Sequence, residues 1–191
     1  VANDLSNDSL AATQKVIKQN IPHLRVETCY ANFLDKDSPL LNYKGANVIL
    51  TGCTVSNITA YDGNMPVNEL VSYLKTIGQI LGDDGNLVIT QDTNQDKASL
   101  IAAYHGPFQS FFTDMLYRLK AYLGIDTFDP SALELEPIWD AQCHLLAITC
   151  MNKQDQTIQV QGRTIHLPKG RRLYIANCYK YPAKDFLHMA R

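Results

Sequence analysis

The stretch from Ala46 to Gly52 carries its apolar residues Val48, Ile49 and Leu50 in one continuous run that empties directly into small and polar residues, reading VILTGCTVSN from Val48 to Asn57. Continuous rather than alternating apolarity predicts a strand buried on both faces, which requires helices on either side of a largely parallel sheet. In such a sheet the groups that bind ligands stand at the carboxyl ends of the strands, where Gly52 and Asn57 fall.

The flanking pattern agrees with this architecture. Val1 to Leu5 predicts the end of a strand finishing at Asp4, and Ser6 is placed to cap a helix over Asn7 to Gln19, in which Leu10, Thr13, Val16 and Ile17 recur at helical spacing. Pro22 stops that helix, and His23 to Cys29 predicts a short strand. Pro66 stands at a first helical position, followed by Val67, Leu70, Val71, Leu74, Ile77 and Leu81 on one face. Gly82 to Asn86 is a turn and Leu87 to Gln91 a strand. Two helices follow, one over Lys97 to Tyr104 and a longer one opened by Pro107 and closed by Gly124.

The pattern then changes. Leu133 to Ile138, Ala141 to Asn152, Thr157 to Gln161, Arg163 to Leu167 and Leu173 to Tyr179 predict antiparallel strands, with Lys153 to Gln156 and Gly162 in hairpin connections and a terminal helix from Pro182 to Met189. The organisation expected is an α/β core over residues 1–132, an antiparallel lobe over residues 133–181 and a C-terminal helix over residues 182–191.

Composition narrows the function classes. Seventeen basic and nineteen acidic residues leave a net charge of −2, and the densest basic cluster is only Lys169, Arg171 and Arg172, which argues against nucleic acid. No apolar run approaches the ~20 residues that span a bilayer, which argues against a membrane. Cys29, Cys53, Cys143, Cys150 and Cys178 are odd in number and scattered, so neither a disulfide framework nor a zinc cage is signalled, and a reducing cytoplasm is the expected setting. The five histidines also lack metal-ligand spacing. The start VANDLS, without Met, reads as that of a fragment or a processed product.

Four positions carry the polar chemistry of a small-molecule site. Asp4, ending a strand before a helix, suits the two hydroxyls of a ribose, although a cap or a surface carboxylate has the same pattern. Asn32 and Phe33 offer an amide and a ring to a base edge and face, or an ordinary loop beside a buried ring. Asn57 could donate to a carboxylate and accept from an amine, or serve a turn. Tyr104, in AAYHG, could orient a polar ligand, or be half-buried core.

Taken in order, VANDLS, YANFLD, LTGCTVSNI, LIAAYHG and NCYKY resemble the motifs of the histidine-specific S-adenosylmethionine-dependent methyltransferases, the group that trimethylates histidine in ergothioneine biosynthesis. The resemblance extends over essentially the whole chain. It implies a Rossmann-like sheet, S-adenosylmethionine as cofactor, and an amino acid or small amine as methyl acceptor. By the same resemblance Asp4, Asn32, Phe33 and Gly52 belong to the cofactor site, and Asn57 and Tyr104 hold the carboxylate and amino group of the acceptor. The family places a Glu and a Ser against imidazole four and two residues before the Lys matched by Lys180; here those positions are Ala176 and Cys178. An imidazole N–H would lose a charged acceptor there, which weakens histidine as the substrate. Asn32 replaces an Asp. The family's glycine-rich loop precedes the ribose Asp and would lie upstream of Val1, so the sheet is expected to be incomplete on its N-terminal side, and these residues alone to be inactive and bind the cofactor weakly. A catalytically inactive scaffold that binds a ligand or a partner protein is the alternative to an enzyme.

Overall fold

The computed structural model describes residues 1–33, 35, 37–52, 54–57 and 67–191, which form a mixed α/β structure with small sheets. Two compact units are present, one made of Val1–Thr51 with Asn68–Ile89 and the other of Gly52–Val67 with Thr90–Arg191. Pro66 and Cys53 lie outside the described residues.

The first unit contains two parallel strand pairs, each joined through a helix. β1 (Ala2–Asp4) leads through α1 (Asn7–Asn20) to β2 (Thr28–Tyr30), with Asp4 opposite Tyr30. Ser6 caps α1, its Oγ accepting from the Ser9 amide at 3.1 Å, and the helix ends at Ile21, before Pro22. β3 (Val48–Leu50) leads to β4 (Leu87–Ile89), and α2 (Val67–Leu81) lies between them in sequence. Leu70, Tyr73, Ile77 and Ile80 recur at helical spacing on α2 and are all buried. The expectation of a fully buried β3 is corrected: Ile49 is 66% exposed, and Val88 beside it on β4 is also exposed. Alternation along the strand turns Val48 and Leu50 inward and leaves the other face of this pair to solvent.

In the second unit one long helix, α3 (Lys97–Leu123), replaces the two short ones expected. An interior proline costs a helix about 3 kcal/mol. Leu100, Phe112 and Leu116 nevertheless belong to a single buried core, with Tyr104 and Leu123 packed against it, and fully burying each such side chain returns roughly 1.5 to 3 kcal/mol. The shared core therefore outweighs the break at position 107. Asp96 caps the helix through the Ser99 amide, and Gly124 ends it in the left-handed conformation at φ 62°.

The core of this unit is completed by an antiparallel sheet. β7 (Leu145–Asn152) is central, flanked on one edge by β10 (Arg172–Tyr179) and on the other by β5 (Leu133–Leu135) and β6 (Ile138–Asp140). The single strand expected over Leu133 to Ile138 is thus two, paired to opposite ends of β7. β8 (Gln156–Val160) and β9 (Arg163–Leu167) form a hairpin whose Gln161 and Gly162 both have positive φ, as a type I′ turn requires. α4 (Ala183–Met189) follows Pro182. No helix among the described residues is long and apolar enough to cross a membrane.

Candidate functional site

Pairing of β1 with β2 sets Asp4 directly beside Tyr30, with Asn32 two residues beyond. This is the juxtaposition of neighbouring strand tips that parallel pairing produces. Asp4 is exposed, and its Oδ1 accepts from the Ser6 amide at 2.8 Å, so the carboxylate also closes the turn into α1. Asn32 donates through Nδ2 to Asp35 Oδ1 at 2.8 Å. A cavity of about 630 Å³ opens at this end of the pair, lined by Leu5, Tyr30, Asn32, Asp35, Asp37 and Ser38 among others. Phe33 is half-buried, its ring centroid 5.4 Å from that of Tyr73 on α2. Burial pushes the Tyr73 hydroxyl well above the usual phenol range. Size and acceptor chemistry suit the adenosine half of a nucleotide cofactor: carboxylates match a vicinal diol, and the Asn32 carboxamide matches an adenine edge.

The second unit holds the remaining candidates. Gly52 is exposed at φ 69°, a conformation that side chains other than glycine rarely adopt, and no atom lies within 4 Å of where a Cβ would stand. Asn57 is exposed at the end of a 3-10 turn, Thr54–Asn57. That turn is anchored by its neighbour Ser56, fully buried, whose Oγ donates to Gln91 Oε1 at 3.0 Å; Gln91 in turn donates to the carbonyl of Tyr179 at 3.2 Å. Asn57 is therefore tied through Ser56 and Gln91 to the end of β10.

Tyr104 and Cys178 are brought together. The Tyr104 hydroxyl and Cys178 Sγ are 3.2 Å apart, and Lys180 Nζ donates to that hydroxyl at 3.2 Å. Lys180 is 2% exposed, with its Nζ 2.8 Å from Asp92 Oδ2 and 5.3 Å from the Tyr104 ring centroid. Burial opposes the Lys180 charge, but hydrogen bonding to Asp92 and the neighbouring Cys178 and Tyr104 outweigh it and raise its pKa. For Asp92, burial is likewise outweighed, by hydrogen bonds from Lys180 and the Asn94 amide and by the ammonium charge, so its carboxyl lies below its ordinary value. Tyr104 is raised, by burial first and then by Cys178, with Lys180 opposing.

A bulge on β10 makes this cluster. Tyr174 pairs with Thr149 and Ala176 with Ile148, which leaves Ile175 as an extra residue. The inward face of β7 is Leu146, Ile148 and Cys150, all in the core with α3. Because of the bulge, Ala176 and Cys178 fall opposite Ile148 and Leu146 rather than opposite Ala147 and Leu145. Ala176 itself is exposed, and Cys178 is buried against Tyr104.

Asp92, Gln91 and Ser56 are absent from the candidates named from sequence, and Lys180 entered only as a landmark. The signal for Gln91 and Asp92 was present: two polar residues just past the apolar strand Leu87 to Ile89. Among the described residues no group of three or more His, Cys, Asp or Glu could hold a metal ion.

Parallel βαβ segments in one unit, and an antiparallel sheet with a Lys–Asp–Tyr network around a buried ammonium in the other, define the class as a mixed α/β protein. The family model described as "Histidine-specific methyltransferase, SAM-dependent" matches residues 1–191, and the chain belongs to that family. It is accordingly an S-adenosylmethionine-dependent methyltransferase acting on a small molecule, with S-adenosylmethionine as its cofactor. No match is found among curated proteins. The alternative of a catalytically inactive scaffold has no support in this result.

Proposed function

We propose that the protein is an N-methyltransferase whose acceptor is an amino acid or a small amine. The observation that carries the reading is the Tyr104 hydroxyl, held by Cys178 and by a buried Lys180 that is paired with Asp92, in a chain of this family. A phenol fixed in this way is a binding group whose geometry is set before the ligand arrives, which lowers the cost of recognition.

In this reading residues 1–132 form a Rossmann-like cofactor core of which β1–α1–β2 and β3–α2–β4 are two parts, residues 133–181 an acceptor-side lobe, and residues 182–191 a closing helix. Support comes from the parallel pairing of β1 with β2 and of β3 with β4, and from the antiparallel pairing after Leu133. Asp4 would accept from the ribose hydroxyls, Asn32 would pair with the adenine edge beside Phe33, and Gly52 would admit the ligand close to the backbone. When bound, S-adenosylmethionine supplies an electrophilic methyl group on a sulfonium centre. The protein's own contribution is alignment and exclusion of water. Asn57 and Tyr104 would hold the carboxylate and amino group of the acceptor, in surroundings that favour the unprotonated amine. Ala176 and Cys178, which lack the charge of the family's Glu, favour an acceptor other than histidine. The four described cysteines Cys29, Cys143, Cys150 and Cys178 are free thiols, which suits a cytoplasmic setting.

The test is incubation of the full-length protein with methyl-labelled S-adenosylmethionine and a panel of L-amino acids and simple amines. Label in a methylated small amine, with an acceptor KM raised about tenfold or more in Asn57→Ala and Tyr104→Phe, is expected. Transfer to none of the panel, or an unchanged KM in both variants, overturns the assignment.

A further inference from the structure

The pair Lys180 and Asp92 constrains which way the Tyr104 hydroxyl can point its proton. An ammonium has three donors and no acceptor, so the 3.2 Å contact from Lys180 Nζ obliges the phenol oxygen to accept. The proton of the phenol is then what Tyr104 has left to give. Cys178 Sγ, 3.2 Å away, is a weak acceptor, and a ligand oxygen would compete with it effectively. The charge in contact with the hydroxyl is positive, which repels a ligand ammonium and attracts a carboxylate.

The ammonium itself cannot swing away. Asp92 Oδ2 holds Nζ at 2.8 Å, and the backbone on both sides is tied: the Lys180 amide donates to the His144 carbonyl at 2.7 Å, and its carbonyl accepts from Gln95 Nε2. A charge buried to this degree is tolerated only when it is paired and hydrogen-bonded, and the arrangement meets both conditions. The raised Lys180 and lowered Asp92 values keep both groups charged across the neutral range.

We propose that Lys180, anchored by Asp92, is a positioning residue that commits the Tyr104 hydroxyl to donating toward a carboxylate of the acceptor, so that the enzyme discriminates an α-amino acid from the amine lacking its carboxylate. This rests on the reading above that Tyr104 contacts the acceptor, and it assigns to that contact a direction, a preferred ligand group and a cause. Lys180 acts through Tyr104 and does not itself touch the acceptor.

The experiment compares the unaltered protein with Lys180→Met, which keeps much of the length and loses the charge. Affinities are measured by calorimetry, in the presence of S-adenosylhomocysteine, for each L-amino acid and for the amine formed by its decarboxylation. The unaltered protein is expected to bind the acid of at least one pair about tenfold more tightly than its amine, the factor a hydrogen bond to a charged group carries. In Lys180→Met that ratio falls to near one, with the amine's own affinity held within about twofold. A second readout needs no ligand: with tyrosine labelled by carbon-13 at Cζ, the Tyr104 resonance, identified by its loss in Tyr104→Phe, moves in Lys180→Met. Should Lys180→Met fail to fold, Asp92→Asn retains the ammonium without its anchor and is put through the same two measurements.

Equal weakening of acid and amine would mean that Lys180 only supports the fold, and an unchanged ratio or a stationary Tyr104 resonance would mean that it does not direct the phenol; each overturns the proposal while leaving the methyltransferase reading standing. If no pair binds the unaltered protein, or Tyr104→Phe binds every ligand as well as the unaltered protein, the fault lies in the placement of Tyr104 against the acceptor, and both readings fall together.

Discussion

Asp92 Oδ2 stands 2.8 Å from the ammonium of Lys180, and the two partners differ in their access to water: the Lys180 side chain is 2% exposed, that of Asp92 37%. Removing the carboxylate strands a buried cation, whereas protonating it does so gradually. Asp92→Asn is expected to cost about 2 kcal/mol at pH 7, below the 3 to 5 of a fully enclosed pair because water screens the aspartate side. Asp92 has a lowered folded value, so its contribution is present above its unfolded value, near pH 3.9, and is lost as pH falls through the lower folded one. Lys180, being raised, keeps its charge throughout that acid window. The stability gap between the parent and Asp92→Asn, measured by urea denaturation, should hold constant from about pH 7 to 5 and close below about pH 4.

Asn152 is fully buried and works as a hub. Its Nδ2 donates to the carbonyls of Leu167 and Pro168 at 2.9 and 3.0 Å and also to that of Gln154, while Oδ1 accepts from Gln156 Nε2 at 2.9 Å. Asn152→Leu leaves several of these partners unsatisfied, each at roughly 1 to 3 kcal/mol. A loss of about 3 kcal/mol or more in chemical denaturation is expected, larger than for any exposed polar residue of the same hairpin.

Two glycines should respond in opposite directions. Gly78 lies exposed inside α2 with nothing within 4 Å of a Cβ, so Gly78→Ala should stabilise by about 0.5 to 1 kcal/mol. At Gly85 a Cβ would come within 2.5 Å of the carbonyl oxygens of both Ala46 and Leu81, and backbone cannot yield as a flexible side chain does. Gly85→Ala should therefore destabilise, and the two melting temperatures should move to either side of the parent's.

Asp4→Ala tests the cofactor end of the proposed function. Loss of a carboxylate accepting from ribose hydroxyls should weaken S-adenosylhomocysteine roughly tenfold or more by calorimetry. Asp4 also accepts from the Ser6 amide, so Asp4→Asn, which keeps an acceptor oxygen for that turn, separates the two duties: it should restore the thermal stability without fully restoring affinity.

Much of the fold was legible because it is written locally. Ser6 as a cap, Gly124 as a left-handed terminus and Gly162 as a hairpin turn follow from residue chemistry, and each stands where the pattern put it, although the turn also takes in Gln161, which the pattern assigns to the strand. The merging of two helices into α3 could not be read from Gly106 and Pro107, since the deciding contribution is a core shared by residues as far apart as Leu100 and Leu116. The same holds for the site. Tyr104 and Cys178 were both named from their motifs, but nothing in a linear sequence announces that they meet, or that Asp92 joins them through Lys180. The exposed face of β3 is a third instance, because continuous apolarity reports which residues prefer burial and not whether a covering element reaches them.

The extra residue at Ile175 has an outcome for how this protein could change. Everything on β10 after that point takes its orientation from its own pairing with β7, independently of Leu173 before it. Deleting the codon for Ile175 would straighten the strand and leave Ala176 following Tyr174 with every later pair as before, Cys178 still opposite Leu146. Loss of that residue is thus absorbed by the ladder, and the thiol keeps its place beside Tyr104.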